Sequence, residues 1–98
     1  MRVLLVYDIV NDKHRLKIAD ACQDYGLDRV QYSAFSGVLN RNRQEELMMK
    51  IEAILGEGEG RIHLYPIDEK AWQKRLFIEQ GMMILKEDEY DIPESADE

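Results

Sequence analysis

Cysteine, proline and long apolar runs are scarce in this chain, and each scarcity excludes a class of protein. A single cysteine, Cys22, cannot form an internal disulfide, so we expect a protein of the reducing cytoplasm rather than a disulfide-stabilised secreted domain. No apolar run approaches the roughly 20 residues that a bilayer requires, and we therefore expect neither a secretion signal nor a membrane contact. With 98 residues, the chain predicts one small domain with a modest core.

Basic residues are absent from the last twelve positions, which sets this segment apart from the rest of the chain. Residues 87–98 hold seven of the 20 acidic side chains, whereas residues 1–86 hold the other 13 together with all 13 lysines and arginines. A segment with this charge and little apolar content cannot bury enough surface to fold. We therefore predict that residues 87–98 form a disordered acidic tail. Residues 1–86 have no net charge, so a role of their basic residues in binding depends on where these residues cluster.

Apolar periodicity and turn residues predict one domain over residues 1–81, in which strands and helices alternate. A capping residue at Asn11 or Asp12 starts the first helix, and Asn40 or Asn42 starts the second. Runs rich in β-branched and aromatic residues surround these helices and predict strands. In chain order, the predicted elements are a strand at Arg2–Asp8, a helix at 13–25, a long strand at 29–39, the second helix, a strand at Arg61–Ile67, a turn or short helix, and a strand at 75–79.

This order of elements predicts an α+β fold of the ferredoxin-like type, an antiparallel sheet with two helices on one face. The first strand shows no apolar–polar alternation, although a sheet with one solvent-exposed face normally alternates. We therefore expect a second copy of the chain to cover the other face, in a homodimer that packs sheet to sheet. Residues 82–86 are candidates for a strand exchanged between the two copies.

The first strand ends in an aspartate, Asp8, directly after a run of apolar residues. An ionised carboxylate at the mouth of a buried strand is costly unless a partner compensates it. One interpretation is that a two-fold axis brings two Asp8 side chains together around a divalent ion, since Mg²⁺ binds through one or two carboxylates and keeps several waters. Such an ion would activate water for attack on a phosphodiester. The alternative is a carboxylate that caps the turn or pairs with a nearby lysine.

Three basic residues, Lys13, Arg15 and Lys17, lie in the first turns of the first helix. Cations at this end oppose the helix dipole, whereas a helix N-terminus attracts phosphate through its free N–H groups. We therefore predict a nucleic-acid-binding face that also includes Arg29 on the second strand. The alternative is a solvated charged face with no ligand.

Aromatic residues also lie on the predicted second strand. Tyr32 and Phe35 are three positions apart, so strand alternation predicts that they face opposite sides of the sheet and that at least one belongs to the core. Aromatic and basic residues interleaved on a sheet can stack bases and hold phosphates. Cys22 and His63 lack the spacing of a zinc site, and we assign them, with Trp72, to packing.

Four stretches, taken in order, resemble the small CRISPR-associated protein two family: "YDI" at the end of the first strand, "NDKHRLKIA", "YGLDRVQYSAFSGVL" and "RIHLYPI". The similarity runs through about residues 2–67, and the strand-ending "YD" together with the "GLxRVQYSxFxG" pattern is specific. The resemblance implies a ferredoxin-like homodimer that acts with the CRISPR integrase in spacer acquisition and helps to position the incoming DNA.

The resemblance also implies a metal-dependent endonuclease for single-stranded RNA or double-stranded DNA. Position by position, Asp8 matches the metal-binding aspartate, which implies an Mg²⁺ or Mn²⁺ ion shared between the two Asp8 residues of the dimer. The positions that match other residues linked to nuclease activity are Tyr7, Arg15, Arg29 and Phe35.

Three positions depart from the family pattern. Asn11 and His14 stand where acidic and basic residues, respectively, are frequent, and Lys17 stands where arginine occurs. Since lysine lacks the bidentate fork of arginine, these departures weaken the expectation of strong hydrolysis more than that of DNA positioning. The alternatives are a non-catalytic DNA-positioning adaptor and a stand-alone toxin-type ribonuclease of similar plan. A metabolite-binding regulatory domain is a further alternative, for which the sequence offers no ligand-cradling loop.

Overall fold

The computed structural model describes residues 1–80 of the chain. The predicted exchanged strand at residues 82–86 and the acidic tail at residues 87–98 lie outside the described residues. No helix among residues 1–80 has the length and apolar character needed to cross a membrane. The elements of this part are β1 (Arg2–Asp8), α1 (Asp12–Asp24), β2 (Asp28–Gln31), β3 (Ala34–Val38), α2 (Arg41–Leu55), β4 (Arg61–Ile67) and α3 (Glu69–Gln73).

The strands form one antiparallel sheet in the order β2-β3-β1-β4. The central strand β1 pairs with β3 on one side, where Leu5 lies opposite Phe35, and with β4 on the other, where Leu5 lies opposite Leu64. A βαββαβ connection in this order is the ferredoxin-like plan, which confirms the predicted fold class. Pro66 lies in β4 at the edge of the sheet, where a missing N–H donor is tolerated.

Helices α1 and α2 pack on the same face of the sheet and enclose the core. The side chains that β1 and β3 direct toward the helices are buried, and so are the apolar side chains of the helices that meet them. The largest members of this cluster are Phe35, Leu5, Ile18, Leu47, Ile51, Val3 and Cys22.

The opposite face of the sheet is not covered by α1 or α2, and we call it the open face. Apolar side chains on this face remain accessible: Leu4 and Val6 are half-buried, and Val38 is 63% exposed. Burial therefore alternates along β1 although the sequence does not, because apolar residues occupy both faces. From the strand register, the open face comprises Arg2, Leu4, Val6 and Asp8 of β1, Ala34, Ser36 and Val38 of β3, and Arg61, His63, Tyr65 and Ile67 of β4.

Asparagine side chains start both long helices. Asn11 accepts a hydrogen bond from the backbone N–H of His14 at 2.9 Å, and Asn40 accepts one from the backbone N–H of Arg43 at 2.8 Å. Each bond satisfies an N–H group that the first helical turn leaves unpaired. After α1, Gly26 has a φ of 83°, a left-handed conformation that glycine adopts without strain.

The prediction of one long strand at residues 29–39 is wrong. A turn at Tyr32 and Ser33 divides this run into β2 and β3, and the pairing register shifts between Arg29 and Gln31. The resulting hairpin supplies the additional strand that the ferredoxin-like plan requires. Strand propensity was therefore correct for both halves, but it does not show where a chain reverses.

The predicted strand at residues 75–79 is also wrong. The segment follows α3 without joining the sheet, and it forms no ladder with the edge strand β4. Its apolar side chains, Leu76, Phe77 and Ile78, are exposed. The apolar pattern of this segment predicts a strand, but the segment pairs with none of the four strands in the described part of the chain.

Candidate metal and nucleic-acid site

Asp8 is the last residue of β1 and lies on the open face of the sheet. Its side chain is exposed, and its cross-strand neighbour is Arg61 at the start of β4. The ion pairs formed within residues 1–80 do not include Asp8, so the pairing with a lysine that the sequence left open is absent there. The carboxylate is therefore accessible to a ligand from solvent.

One chain supplies few ligands for a metal ion at this position. Residues 1–80 contain no group of three or more neighbouring histidine, cysteine, aspartate or glutamate side chains that could hold a metal ion. Mg²⁺ nevertheless needs only one or two carboxylates, because it keeps several of its waters. The Asp8 carboxylate, exposed at the end of β1, fits one such ligand.

Tyr7 precedes Asp8 in β1, and strand alternation places it on the opposite, helix-covered face. Its ring stacks on Phe35 with the centroids 6.3 Å apart and an interplanar angle of 18°. The Arg29 guanidinium lies 5.1 Å from the centroid of the Phe35 ring, in a cation–π contact. We call Tyr7, Arg29 and Phe35 the Tyr7 cluster. The cluster and Asp8 lie on different faces of the sheet, so the residues matched to nuclease positions do not form a single constellation.

Two ionisable groups near Arg29 are held in their neutral forms by burial. Burial raises the pKa of the Tyr7 phenol, and the Arg29 cation opposes this rise. Burial also raises the pKa of the Cys22 thiol to about 12, again opposed by Arg29. Tyr7 is therefore a hydrogen-bond donor at neutral pH rather than a base. Cys22 is a packing residue, as predicted, because a neutral buried thiol is a poor nucleophile.

Arg15 is committed to the connection between β1 and α1. Its Nη1 donates hydrogen bonds to the carbonyl oxygens of Ile9 at 3.2 Å and Val10 at 3.1 Å, and its Nη2 forms an ion pair with Asp12. These contacts hold the backbone that directly follows Asp8. Arg15 thus positions the end of β1 through the loop, and its guanidinium is largely occupied within the protein.

Lys13 and Lys17 are the exposed members of the predicted nucleic-acid-binding face. They are four positions apart on α1, so they lie on the same side of the helix. Neither lysine belongs to an ion pair formed within residues 1–80. Of the four basic residues predicted for this face, these two are directed to solvent, whereas Arg15 and Arg29 contact other groups of the protein.

A pocket of about 290 Å³ opens beside the start of α1 and the β2–β3 hairpin. Three of its lining residues were predicted as site residues and three were not; together they are Tyr7, Arg15, Arg29, Asp12, Leu16 and Tyr32. The sequence pointed to Tyr32 and Phe35 as aromatic residues able to stack bases, but strand parity across the run 29–39 placed them on opposite sides of the sheet, and the turn breaks that parity. The only residue in the sequence that indicates this turn is Ser33, and serine favours turns only weakly.

His63 and Trp72, which the sequence assigned to packing, differ in outcome. His63 is exposed on the open face, with its Nδ1 atom 2.8 Å from the hydroxyl of Tyr65, so the assignment is wrong for this residue. Trp72 is half-buried, and the guanidinium groups of Arg2 and Arg75 lie 4.8 and 4.2 Å from the centroid of its ring. Its packing role is confirmed.

Comparison with known proteins identifies relatives over most of the chain. The family model for CRISPR associated protein Cas2 matches residues 1–75. The CRISPR-associated endoribonuclease Cas2 2 of Chloroflexus aurantiacus is 44% identical over 80 residues, which cover 82% of this chain and 94% of that protein. The CRISPR-associated endoribonuclease Cas2 of Desulforudis audaxviator is 47% identical over 70 residues, which cover 71% of this chain and 66% of that protein.

Solved structures show the same fold. The crystal structure of Streptococcus pyogenes Cas2 at pH 6.5 superposes with a TM-score of 0.68 at 29% identity, covering 80% of this chain and 98% of that one. The crystal structure of the hypothetical protein TT1823 from Thermus thermophilus has a TM-score of 0.63 at 26% identity, covering 95% and 96% of the two chains.

Proposed function

Since this chain belongs to the CRISPR associated protein Cas2 family, we propose that it is a cytoplasmic protein that binds nucleic acid and acts with the CRISPR integrase in spacer acquisition. The family resemblance in the sequence is thereby confirmed. The names of its relatives add endoribonuclease activity. We extend the proposal to metal-dependent cleavage of phosphodiesters in single-stranded RNA or duplex DNA, centred on Asp8.

The observation that carries the cleavage proposal is the state of the Asp8 carboxylate. It ends a buried strand, is exposed, and belongs to no ion pair formed within residues 1–80. An acidic group that served only stability would gain from a cationic partner, and Arg61 on the neighbouring strand lies directly across. A carboxylate held apart from such a partner suits a ligand that comes from solvent.

A homodimer would supply the second carboxylate. The open face carries Leu4, Val6, Val38 and Tyr65, and the last two are 63% and 47% exposed. Exposed apolar side chains that adjoin on one sheet face favour a protein partner. Two copies packed by their open faces would bury this surface and bring the Asp8 end of each β1 toward a common two-fold axis.

The chain's own residues would divide the work at this site. When bound, Mg²⁺ or Mn²⁺ lowers the pKa of a coordinated water and so supplies the attacking hydroxide. The two Asp8 carboxylates would hold the ion, and Arg15 would keep the backbone after Asp8 in place. Lys13 and Lys17 would bind phosphates of the substrate on the exposed side of α1.

The test is cleavage of labelled single-stranded RNA and labelled duplex DNA with Mg²⁺ or Mn²⁺, for the wild type and the Asp8→Ala variant at matched purity. We expect the variant to lose at least about 100-fold in rate, because outer-sphere partners of a metal ligand alone account for 10–100-fold. The matched control is Asp20→Ala, which removes an exposed aspartate of α1 and should cut as the wild type does. Equal cutting by wild type and Asp8→Ala would contradict the proposed centre.

The second candidate function is a DNA-positioning adaptor without hydrolysis. The observation in its favour is that, among residues 1–80, no group of three or more metal-binding side chains forms around Asp8. Spacer acquisition in cells that contain the integrase distinguishes the two functions. The adaptor predicts normal acquisition by Asp8→Ala and no cutting of either substrate by the wild type.

A further inference from the structure

We propose that the pocket beside the β2–β3 hairpin, on the helix-covered side of the sheet, binds one unpaired nucleobase, and that Tyr32 is the platform on which the base stacks. The inference rests on the proposed nucleic-acid function and narrows it, because a pocket of this kind selects single-stranded segments over continuous duplex. It assigns a ligand to the face of the sheet opposite the Asp8 carboxylate and makes no use of a metal ion.

The shape of the pocket suits one ring system. Its volume of about 290 Å³ lies at the lower limit of small-molecule sites, which run from about 300 to 1,000 Å³. Leu16 and Tyr32 line it and remain 67% and 66% exposed. Two large side chains exposed at the same opening provide an apolar surface on which the plane of a base can stack.

The backbone near Tyr32 is built in a way that turns its side chain toward this pocket. The pairing register shifts between Arg29 and Gln31, directly before the hairpin turn that contains Tyr32. Bulges of this kind twist a strand and redirect the side chains next to them. The result is that Tyr32 lines the same pocket as Tyr7 and Arg29. Regular strand alternation from Arg29 would instead place Tyr32 on the other side of the sheet.

Polar groups in the pocket complete the recognition of a base. Tyr7 lines the pocket, and because burial raises the pKa of its phenol, the hydroxyl keeps its proton at neutral pH and can donate a hydrogen bond. Asp12 adds carboxylate acceptors to the lining, and its ion pair with Arg15 stiffens that wall. An unpaired base exposes both donors and acceptors along its edge, whereas in a duplex those edges are occupied by the complementary strand.

The experiment measures binding rather than cleavage, in EDTA so that no divalent ion supports hydrolysis. Short single-stranded RNA and DNA carrying one 2-aminopurine are compared with a blunt duplex DNA. The chains compared are the wild type, Tyr32→Ala, Tyr32→Phe and Val30→Ala. Val30 lies on β2 beside the same turn but does not line the pocket. Circular dichroism melts establish that each chain is folded at the assay temperature.

We expect Tyr32→Ala to bind the single strands roughly tenfold more weakly than the wild type and to lose the quenching of 2-aminopurine that stacking produces. Tyr32→Phe retains the ring and should retain both signals, as should Val30→Ala. Duplex affinity should change less than about twofold in every variant, because phosphate contacts dominate there. The RNA and DNA arms show which sugar the pocket accepts.

Unchanged single-strand affinity in Tyr32→Ala would overturn the inference, and so would an equal loss for single strands and duplex. Either result would leave the proposed function standing, because nucleic acid would still bind. A wild-type chain that binds neither single strands nor duplex would overturn both the inference and the proposed function.

Discussion

Phe35→Ala should destabilise the protein severely, although Phe35 matches a family position linked to nuclease activity. The side chain is fully buried, stacks on Tyr7 with the centroids 6.3 Å apart, and lies 5.1 Å from the Arg29 guanidinium. Truncation of a buried phenylalanine to alanine costs about 3–5 kcal/mol, of which the lost aromatic pair contributes about 0.5–1.5 kcal/mol. Single domains have only about 5–15 kcal/mol of stability, so this loss is a large share of the total.

Thermal unfolding followed by circular dichroism at fixed protein concentration measures the effect. Each kcal/mol shifts the Tm of a domain of this size by about 4–8 °C, so Phe35→Ala should lower it by at least about 12 °C. Phe35→Leu keeps most of the buried volume and should bind nucleic acid normally at a temperature where it is fully folded. A Phe35→Ala Tm within about 3 °C of the wild type would refute the reasoning. A folded Phe35→Leu chain that no longer binds nucleic acid would refute it as well.

Two further predictions concern the core. Gly37→Ala should lower the free energy of unfolding by about 1–3 kcal/mol, because an added Cβ would lie 2.7 Å from the Leu27 Cδ2 atom and 3.2 Å from the Gly26 carbonyl oxygen. Urea unfolding measures this change. A decrease below about 0.5 kcal/mol would contradict the packing described around Gly37. The wild type should also lose stability as the pH rises from 9 toward 12, because the Cys22 thiol loses its proton near pH 9 when unfolded but only near 12 when folded. Since the unfolded state then binds fewer protons, the free energy of unfolding falls by up to about 1.4 kcal/mol per pH unit. Cys22→Ala should show a shallower fall, and equal pH slopes in the two proteins would contradict a buried, neutral Cys22 thiol.

Local signals were sufficient to predict much of the fold. The strands at Arg2–Asp8 and Arg61–Ile67 were predicted with the bounds that the structure shows, and α1 was predicted within one residue at each end. An apolar run, a capping asparagine and a terminating glycine act over a few residues, so they can be read without knowledge of the tertiary structure. The hairpin at Tyr32 and Ser33 could not be predicted in this way. Residues on both sides of that turn favour strands, and nothing between them breaks the pattern strongly.

The candidate site was predictable in part for the same reason. Asp8 could be identified from the sequence because an acidic residue directly after an apolar run can be recognised without the tertiary structure. The contacts of Arg15 with the carbonyl oxygens of Ile9 and Val10 depend on the path of a loop, and composition does not determine that path. The pocket depends on a shifted register, so the sequence could name Tyr32 as an aromatic residue able to stack a base but could not place it beside Tyr7 and Arg29.

The most direct test of the central claim is the stoichiometry of Mn²⁺ binding, measured by isothermal titration calorimetry on the full-length protein without nucleic acid. Two Asp8 carboxylates that share one ion predict one Mn²⁺ per two chains, and no binding to Asp8→Ala at the same concentrations. Asp20→Ala should bind as the wild type does. One ion per chain, or binding that survives in Asp8→Ala, would contradict a metal ion shared at the dimer axis.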